Sequence, residues 1–209
     1  MPAYRLIIFD FDGTLADSAA WLIAAYNGIA TDFGLRKVDD AEVRMLRGRS
    51  SRDILTYLKV PVWKLPRIAA ELRRLASVEA ERIRLFDGVG ELLHTLKQRS
   101  KQTAIVSSNS EDTVHRVLGP ALVGCVDQFE CNASMFGKAH KLRAVMKRTA
   151  TLPAATLCIG DETRDIEAAR DVGADSGAVL WGYANATILA QCKPTLQFNE
   201  VADIARLVS

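Results

Sequence analysis

The sequence has no long apolar run, no closely spaced cysteine pair, no internal repeat and no low-complexity tract. Its longest apolar stretches, Leu6–Phe9 and residues 19–26, fall far short of the roughly 20 residues that a membrane-spanning helix needs, so no bilayer partner is expected. The amino terminus carries neither an extended hydrophobic segment nor a small-residue cleavage site, which argues against a signal peptide and makes the cytoplasm the expected compartment. Cys125, Cys131, Cys158 and Cys192 form no CxxC pair and have no histidines at zinc-ligand spacing, so they read as reduced structural residues. His94, His115 and His140 are scattered without partners and read as surface or satisfied side chains. Aromatic residues are sparse, at 7%, and Trp63 and Trp181 read as packing residues.

Neither sign of charge is in large excess: 27 Lys or Arg stand against 25 Asp or Glu, a formal net charge of only +2. Its distribution is more informative, because residues 15–85 hold 13 Lys or Arg against 9 Asp or Glu, leaving the remainder of the chain slightly acidic. There is no clustered basic stripe with interleaved aromatics, so nucleic acid is not an expected partner. A small anionic substrate needs far less positive charge.

What is present is the ordinary mix of a globular protein, with 49% hydrophobic and 25% charged residues. Residues 4–9 form a short apolar run ending in polar residues, the pattern of a buried strand that meets a loop. Similar runs occupy residues 102–106, 126–131, 156–159 and 177–180. Helical patterns lie between them. Val89, Leu92, Leu93 and Leu96 share one face of a segment that Asp87 is placed to cap, and residues 111–118 have acids in their first turn and stop at Gly119-Pro120. Alternating strand and helix predicts an α/β fold with a doubly wound parallel sheet. The exception is residues 15–85, where no further buried-strand run occurs and helical patterns are broken by Gly34, Gly48, Pro61 and Pro66. The expected organisation is therefore a core of residues 1–14 and 86–209 with a helical subdomain, 15–85, inserted over the carboxyl ends of the strands, where open parallel sheets bind ligands.

Those strand ends carry the reactive side chains. Asp10 and Asp12 lie two residues apart after the first strand, although Asp12-Gly13 also suits a tight turn. Ser107, Ser108 and Asn109 end the second strand before a helix, where hydroxyls and free backbone N–H groups could hold an anion; Asn109 or Ser110 could equally cap that helix. Asp161 and Asp165 follow the fourth strand at helical spacing, and so many carboxylates at one sheet end call for a hard divalent cation such as magnesium. Lys138 begins a helix, where a lysine opposes the dipole and a purely structural role is disfavoured; Lys141 is the competing candidate.

The DxDGT run from Asp10, the Ser107 hydroxyl, Lys138 and the GDxxxD run from Asp161 resemble, in type and order, the four motifs of the haloacid dehalogenase superfamily. The resemblance covers essentially the whole chain and is greatest for the phosphoglycolate phosphatase group. It implies a Rossmann-like sheet in the order 3-2-1-4-5, a helical cap and a magnesium-dependent phosphatase acting on a small phosphorylated metabolite. On the matching positions, Asp10 would be the nucleophile and Asp12 the general acid and base. Asp10, the backbone carbonyl of Asp12, Asp161 and Asp165 would serve the metal, and Ser107, Ser108 and Lys138 the phosphoryl oxygens. In the cap, Arg47, Arg49 and Arg52 around Gly48 resemble a substrate-specificity loop, or else form a solvated turn. Asp12 separates the chain from the dehalogenases, which lack that second acid. Leu22 stands where phosphomutases place a cap-hinge histidine, and neither Lys59 nor Lys64 lies in a context that marks the Schiff-base lysine of phosphonatases. A sugar phosphomutase and a catalytically silent binding protein are the alternatives. The sequence leaves the substrate and the oligomeric state open.

Overall fold

The computed structural model describes residues 4–132 and 137–207, so residues 1–3, 133–136 and 208–209 of the expected core segments lie outside the described residues. The chain begins with β1 (Leu6–Phe9) and, after a turn, β2 (Ala16–Asp17). Four helices follow: α1 (Ala19–Ala30), α2 (Asp40–Leu46), α3 (Ser51–Tyr57) and α4 (Leu65–Val78). The chain returns through β3 (Arg84–Leu85), α5 (Val89–Gln98), β4 (Gln102–Val106), α6 (Glu111–Leu118), α7 (Pro120–Val123) and β5 (Gln128–Glu130). It ends with α8 (Lys138–Arg148), β6 (Thr156–Gly160), α9 (Thr163–Asp171), β7 (Asp175–Val179), α10 (Ala186–Gln191), β8 (Leu196–Phe198) and α11 (Val201–Leu207).

Six strands form one parallel sheet in the order β5-β4-β1-β6-β7-β8. In chain order of the sheet strands this is the expected 3-2-1-4-5 arrangement with a sixth strand at the edge. β1 lies at the centre, Phe9 registering with Ile105 of β4 and Ile159 of β6. Its unbroken apolar sequence follows from having both faces covered. Ile7 and Phe9 pack with Leu92, Leu93, Leu96 and Val114, whereas Leu6 and Ile8 pack with Leu142, Val145, Met146 and Ala169.

Local chemistry sets several helix ends. Ser110 accepts a hydrogen bond from Thr113 N at 3.2 Å and so caps α6, which stops at Gly119 with φ +74°. Asp87 does not cap α5: Gly88 takes the cap position in a left-handed conformation, φ +84°, that a side-chain-bearing residue adopts only with strain. Residues 15–85 are not wholly helical either. β2 and β3 pair antiparallel, Ala16 with Leu85 and Asp17 with Arg84, so the chain leaves and re-enters the sheet domain side by side. Within the insertion, Asp39 caps α2 and Ser50 caps α3. Trp63 does not pack as expected; it is 72% exposed with the Lys64 ammonium 5.3 Å from its ring centroid. All four cysteines are free, and among the described residues no helix is long and apolar enough to cross a membrane.

Candidate active site

Asp10 follows β1, Ser107 follows β4, Asp161 follows β6, and Lys138 and Asp165 lie in the first turns of α8 and α9. All five therefore meet at the carboxyl edge of the sheet, where the chain switches from the β4 side of β1 to the β6 side. Carboxylate oxygens of Asp10, Asp161 and Asp165 lie within 4.8 Å of one another, and all three residues are buried. The Lys138 ammonium sits 3.0 Å from Asp10 Oδ2 and 2.6 Å from Asp165 Oδ1. Lys141 points elsewhere and pairs with Glu130 at 2.5 Å, so Lys138 is the lysine of the cluster.

This crowding depends on missing side chains. Gly13, at φ +74°, and Gly182 both lie so close to Asp161 that a Cβ on either would overlap its carboxyl group or Cβ. Asp161 itself is fixed by Thr14 Oγ1, which donates to Oδ1 at 3.0 Å, and by Tyr183 N, which donates to Oδ2 at 2.7 Å. Asp12 stands beside the cluster with both oxygens engaged: Ser18 Oγ donates to Oδ1 and Asn109 Nδ2 to Oδ2, each at 2.8 Å. Ser107 Oγ accepts from Asn109 N at 3.0 Å, and Ser108 is half-buried next to it.

Residues 7–179 match the haloacid dehalogenase-like hydrolase family. The chain belongs to that family. It is 34% identical over 206 residues to a phosphoglycolate phosphatase of Synechococcus elongatus, covering 98% of this chain and 97% of that one. A phosphoglycolate phosphatase of Xanthomonas campestris is 33% identical over 190 residues, 86% of this chain and 84% of its own. Among solved structures, a haloacid dehalogenase-like family hydrolase from Streptococcus pneumoniae superposes with a TM-score of 0.82 at 19% identity, over 100% of both chains. The chain is an enzyme, a phosphoric monoester hydrolase.

The electrostatics of the hydrolase favour a bound cation. Burial, followed by the charges of Glu162, Asp165 and Asp10, pushes the Asp161 carboxyl well above the ordinary carboxylate range. Burial likewise raises Asp10, against the pull of Lys138, and raises Asp12 to about 6, with Asp10 adding to the effect. Asp165 alone is lowered: burial opposes its charge, but Lys138 and Arg164 outweigh it. One ammonium and one guanidinium leave the carboxylates under-compensated, and the all-oxygen donor set of Asp10, Asp161 and Asp165 fits a hard divalent ion such as magnesium.

The folded state of the hydrolase in chelator binds protons at Asp12 between an ordinary carboxyl value near 4 and about 6, a window in which the unfolded chain does not. Asp10 and Asp161 are shifted in the same direction, and lowered Asp165 loses its contribution only below that window. The melting temperature in chelator is therefore expected to rise as pH falls from about 7 to about 5. Calorimetry across that range checks it; a monotonic fall on acidification contradicts the charge assignment.

Ser18, Glu162, Arg164 and Tyr183 belong to the site of the hydrolase but carry no signal in the sequence; Thr14 is marked only as the last residue of the DxDGT run, and Asn109 only as part of the anion-holding turn or as a cap. Glu162 accepts two bonds from half-buried Arg164, one of them from Nε at 3.0 Å, and one from Ser51 of the insertion. The arginine loop docks nearby: Arg47 Nη2 donates to Gly182 O at 3.0 Å, and Asn185 N donates to Arg47 O at 2.8 Å. Arg49 instead turns within the insertion, its Nε 3.1 Å from Met45 Sδ and its guanidinium 5.1 Å from the Tyr57 ring centroid. Of the histidines, His94 Nδ1 lies 3.3 Å from Cys125 Sγ and His115 packs edge-on against Phe129. Trp181 is a packing residue, meeting Phe86 edge-on and donating to Thr14 O at 3.1 Å.

Proposed function

We propose that this hydrolase releases phosphate from a small phosphorylated metabolite, phosphoglycolate or a close relative, through a phosphorylated Asp10. The observation that carries the reading is the buried group of Asp10, Asp161 and Asp165 paired with half-buried Lys138, with Asp12 beside it, at the sheet edge. Relatives called phosphoglycolate phosphatase, matched over nearly the full chain, support the substrate class. The core of residues 1–14 and 86–209 performs the chemistry, and the helices of 15–85 act as its cap.

Asp10 attacks phosphorus in line with the leaving oxygen, forming an Asp10 Oδ–P bond as the P–O ester bond breaks. The electron pair of the broken bond goes to the leaving oxygen, which takes a proton from Asp12. Asp12 then accepts a proton from the water that attacks the phosphoaspartate, restoring Asp10 and freeing phosphate. A carboxyl group held near 6 suits both tasks. Lys138 holds a transferring phosphoryl oxygen by charge, and Ser107 and Ser108 do so by hydroxyl or backbone donors. Asp10, the Asp12 carbonyl, Asp161 and Asp165 would hold magnesium, which when bound screens the nucleophile from the phosphate charge. We place the enzyme in the cytoplasm, in keeping with its four free cysteines.

Phosphate release across a panel of phosphomonoesters, with magnesium and then with chelator, tests the reading. Release that is cation-dependent and fastest on a small carboxylated phosphate is expected. No release from any ester, or release undiminished by chelation, contradicts it.

The loop around Gly48 is proposed to read the leaving group through Arg47 and Arg52. Losing a charge-assisted contact costs about 1.5–3 kcal/mol, or roughly one to two powers of ten in kcat/KM. Arg47→Ala and Arg52→Ala should show that loss on an anionic metabolite and a much smaller one on a neutral aryl phosphate. Equal losses on both would reduce the loop to a tie between the insertion and Gly182. Arg49, stacked within the insertion, is the weakest of the three as a contact.

A further inference from the structure

Ser18 and Tyr183 lie 165 residues apart in sequence, yet their hydroxyls meet at 2.7 Å. Ser18 occupies the position that would cap α1, but its side chain makes no capping bond. A serine cap contributes about 1 kcal/mol to a helix, so the contact that replaces it requires a reason. Ser18 is fully buried, and its hydroxyl points at Asp12 Oδ1 instead. A serine hydroxyl carries one hydrogen. Once that hydrogen is given to the Asp12 carboxylate, the 2.7 Å contact is possible only with the Tyr183 hydroxyl as donor to Ser18. Tyr183, Ser18 and Asp12 thus form a directed chain, and Asn109 holds the other carboxyl oxygen. When Asp12 is protonated on Oδ1 the same chain serves with both hydroxyls turned around, since each can donate or accept.

The segment bearing Tyr183 is itself anchored. Trp181 donates to Thr14 O, Gly182 packs against Gly13 O, and Tyr183 N donates to Asp161. The phenol is therefore referenced to the same turn that carries Asp12.

The geometry points to Tyr183 as a positioning residue that, through Ser18, fixes the Asp12 carboxyl for proton transfer to the leaving oxygen. This rests on the phosphatase reading and on Asp12 as its general acid. Tyr183 touches neither the reacting atoms nor the Asp12 carboxyl directly, so its influence is exerted on the step in which the leaving oxygen is protonated. Alkoxide leaving groups need that proton, whereas p-nitrophenolate departs without it.

The test is kcat/KM on an alkyl phosphate and on p-nitrophenyl phosphate for the parent chain, Tyr183→Phe, Ser18→Ala and the double variant, each with its melting curve. Tyr183→Phe should lose about tenfold more on the alkyl ester than on the aryl ester, as should Ser18→Ala. The double variant should lose no more than the worse single one, because the two hydroxyls act as one chain. The magnesium concentration giving half-maximal rate should not move in Tyr183→Phe, since the backbone bond to Asp161 survives. Equal losses on the two esters, or additive losses in the double variant, overturn the inference while leaving the phosphatase reading standing. If Tyr183→Phe fails to fold, the ester comparison in Ser18→Ala decides in the same way. A parent chain silent on both esters overturns both.

Discussion

Asp10→Asn is expected to reduce phosphate release by about four powers of ten or more while leaving the fold in place, because an amide has nearly the shape of a carboxylate but is not the nucleophile. The backbone around residue 10 is held independently of the side chain's charge: Asp10 N donates to Ile159 O at 2.8 Å in the sheet ladder. Asp10 Oδ1 accepts from Phe11 N at 2.8 Å, a bond that an asparagine carbonyl can keep. The ion pair with Lys138 is lost, but Lys138 retains Asp165, and the raised Asp10 carboxyl was already an unfavourable buried charge. These effects oppose each other, so the melting temperature should move by no more than about 4 °C, equivalent to about 1 kcal/mol for a chain of this size. Phosphate release and calorimetry on the same preparation check both halves. Substantial residual turnover removes Asp10 from the chemistry, and loss of folding would show that the charge has a structural role.

Asp161→Asn is expected to separate stability from activity. An asparagine can accept from Tyr183 N through its oxygen and donate to the Thr14 hydroxyl through its amide, so the two bonds that hold Asp161 survive. What disappears is a buried negative charge that Glu162, Asp165 and Asp10 all disfavour. In chelator at neutral pH the variant should therefore melt higher than the parent chain. Magnesium should raise the melting temperature of the parent through linkage and that of the variant much less, and turnover should fall by on the order of a thousandfold. Melting curves with and without magnesium decide the matter. An undiminished magnesium response would place the cation away from Asp161.

How far the sequence foretold this molecule depended on whether a feature was local. The buried strands β1, β4 and β6 were legible because both faces of a central parallel strand are covered, which makes the run continuously apolar. β8 was missed because three residues at a sheet edge, only one of them buried, leave no such run. The two-residue pair β2 and β3 is shorter than any periodic signal can resolve. Asp87 was misread as a cap because its spacing is correct and only the left-handed backbone of Gly88 decides otherwise. In the site, Asp10, Asp161 and Asp165 could be named in advance, since each stands where a strand ends or a helix begins, whereas Lys138 is marked by the family resemblance with Lys141 as its competitor. Lys138 and Lys141 were separable only by geometry, through the pairing of Lys141 with Glu130. Ser18, Asn109 and Tyr183 act on Asp12 or on one another across 6, 97 and 165 residues, and no spacing rule within one sequence connects such positions.

The central claim is that Asp10 becomes phosphorylated, and rapid quenching with a phosphate-labelled ester tests it most directly. Acid-quenched protein should carry label in a hydroxylamine-sensitive acyl phosphate during turnover, borohydride reduction should convert residue 10 to homoserine, and Asp10→Asn should carry none. Turnover by the parent chain with no label on the protein, or label on a residue other than Asp10, would contradict the account.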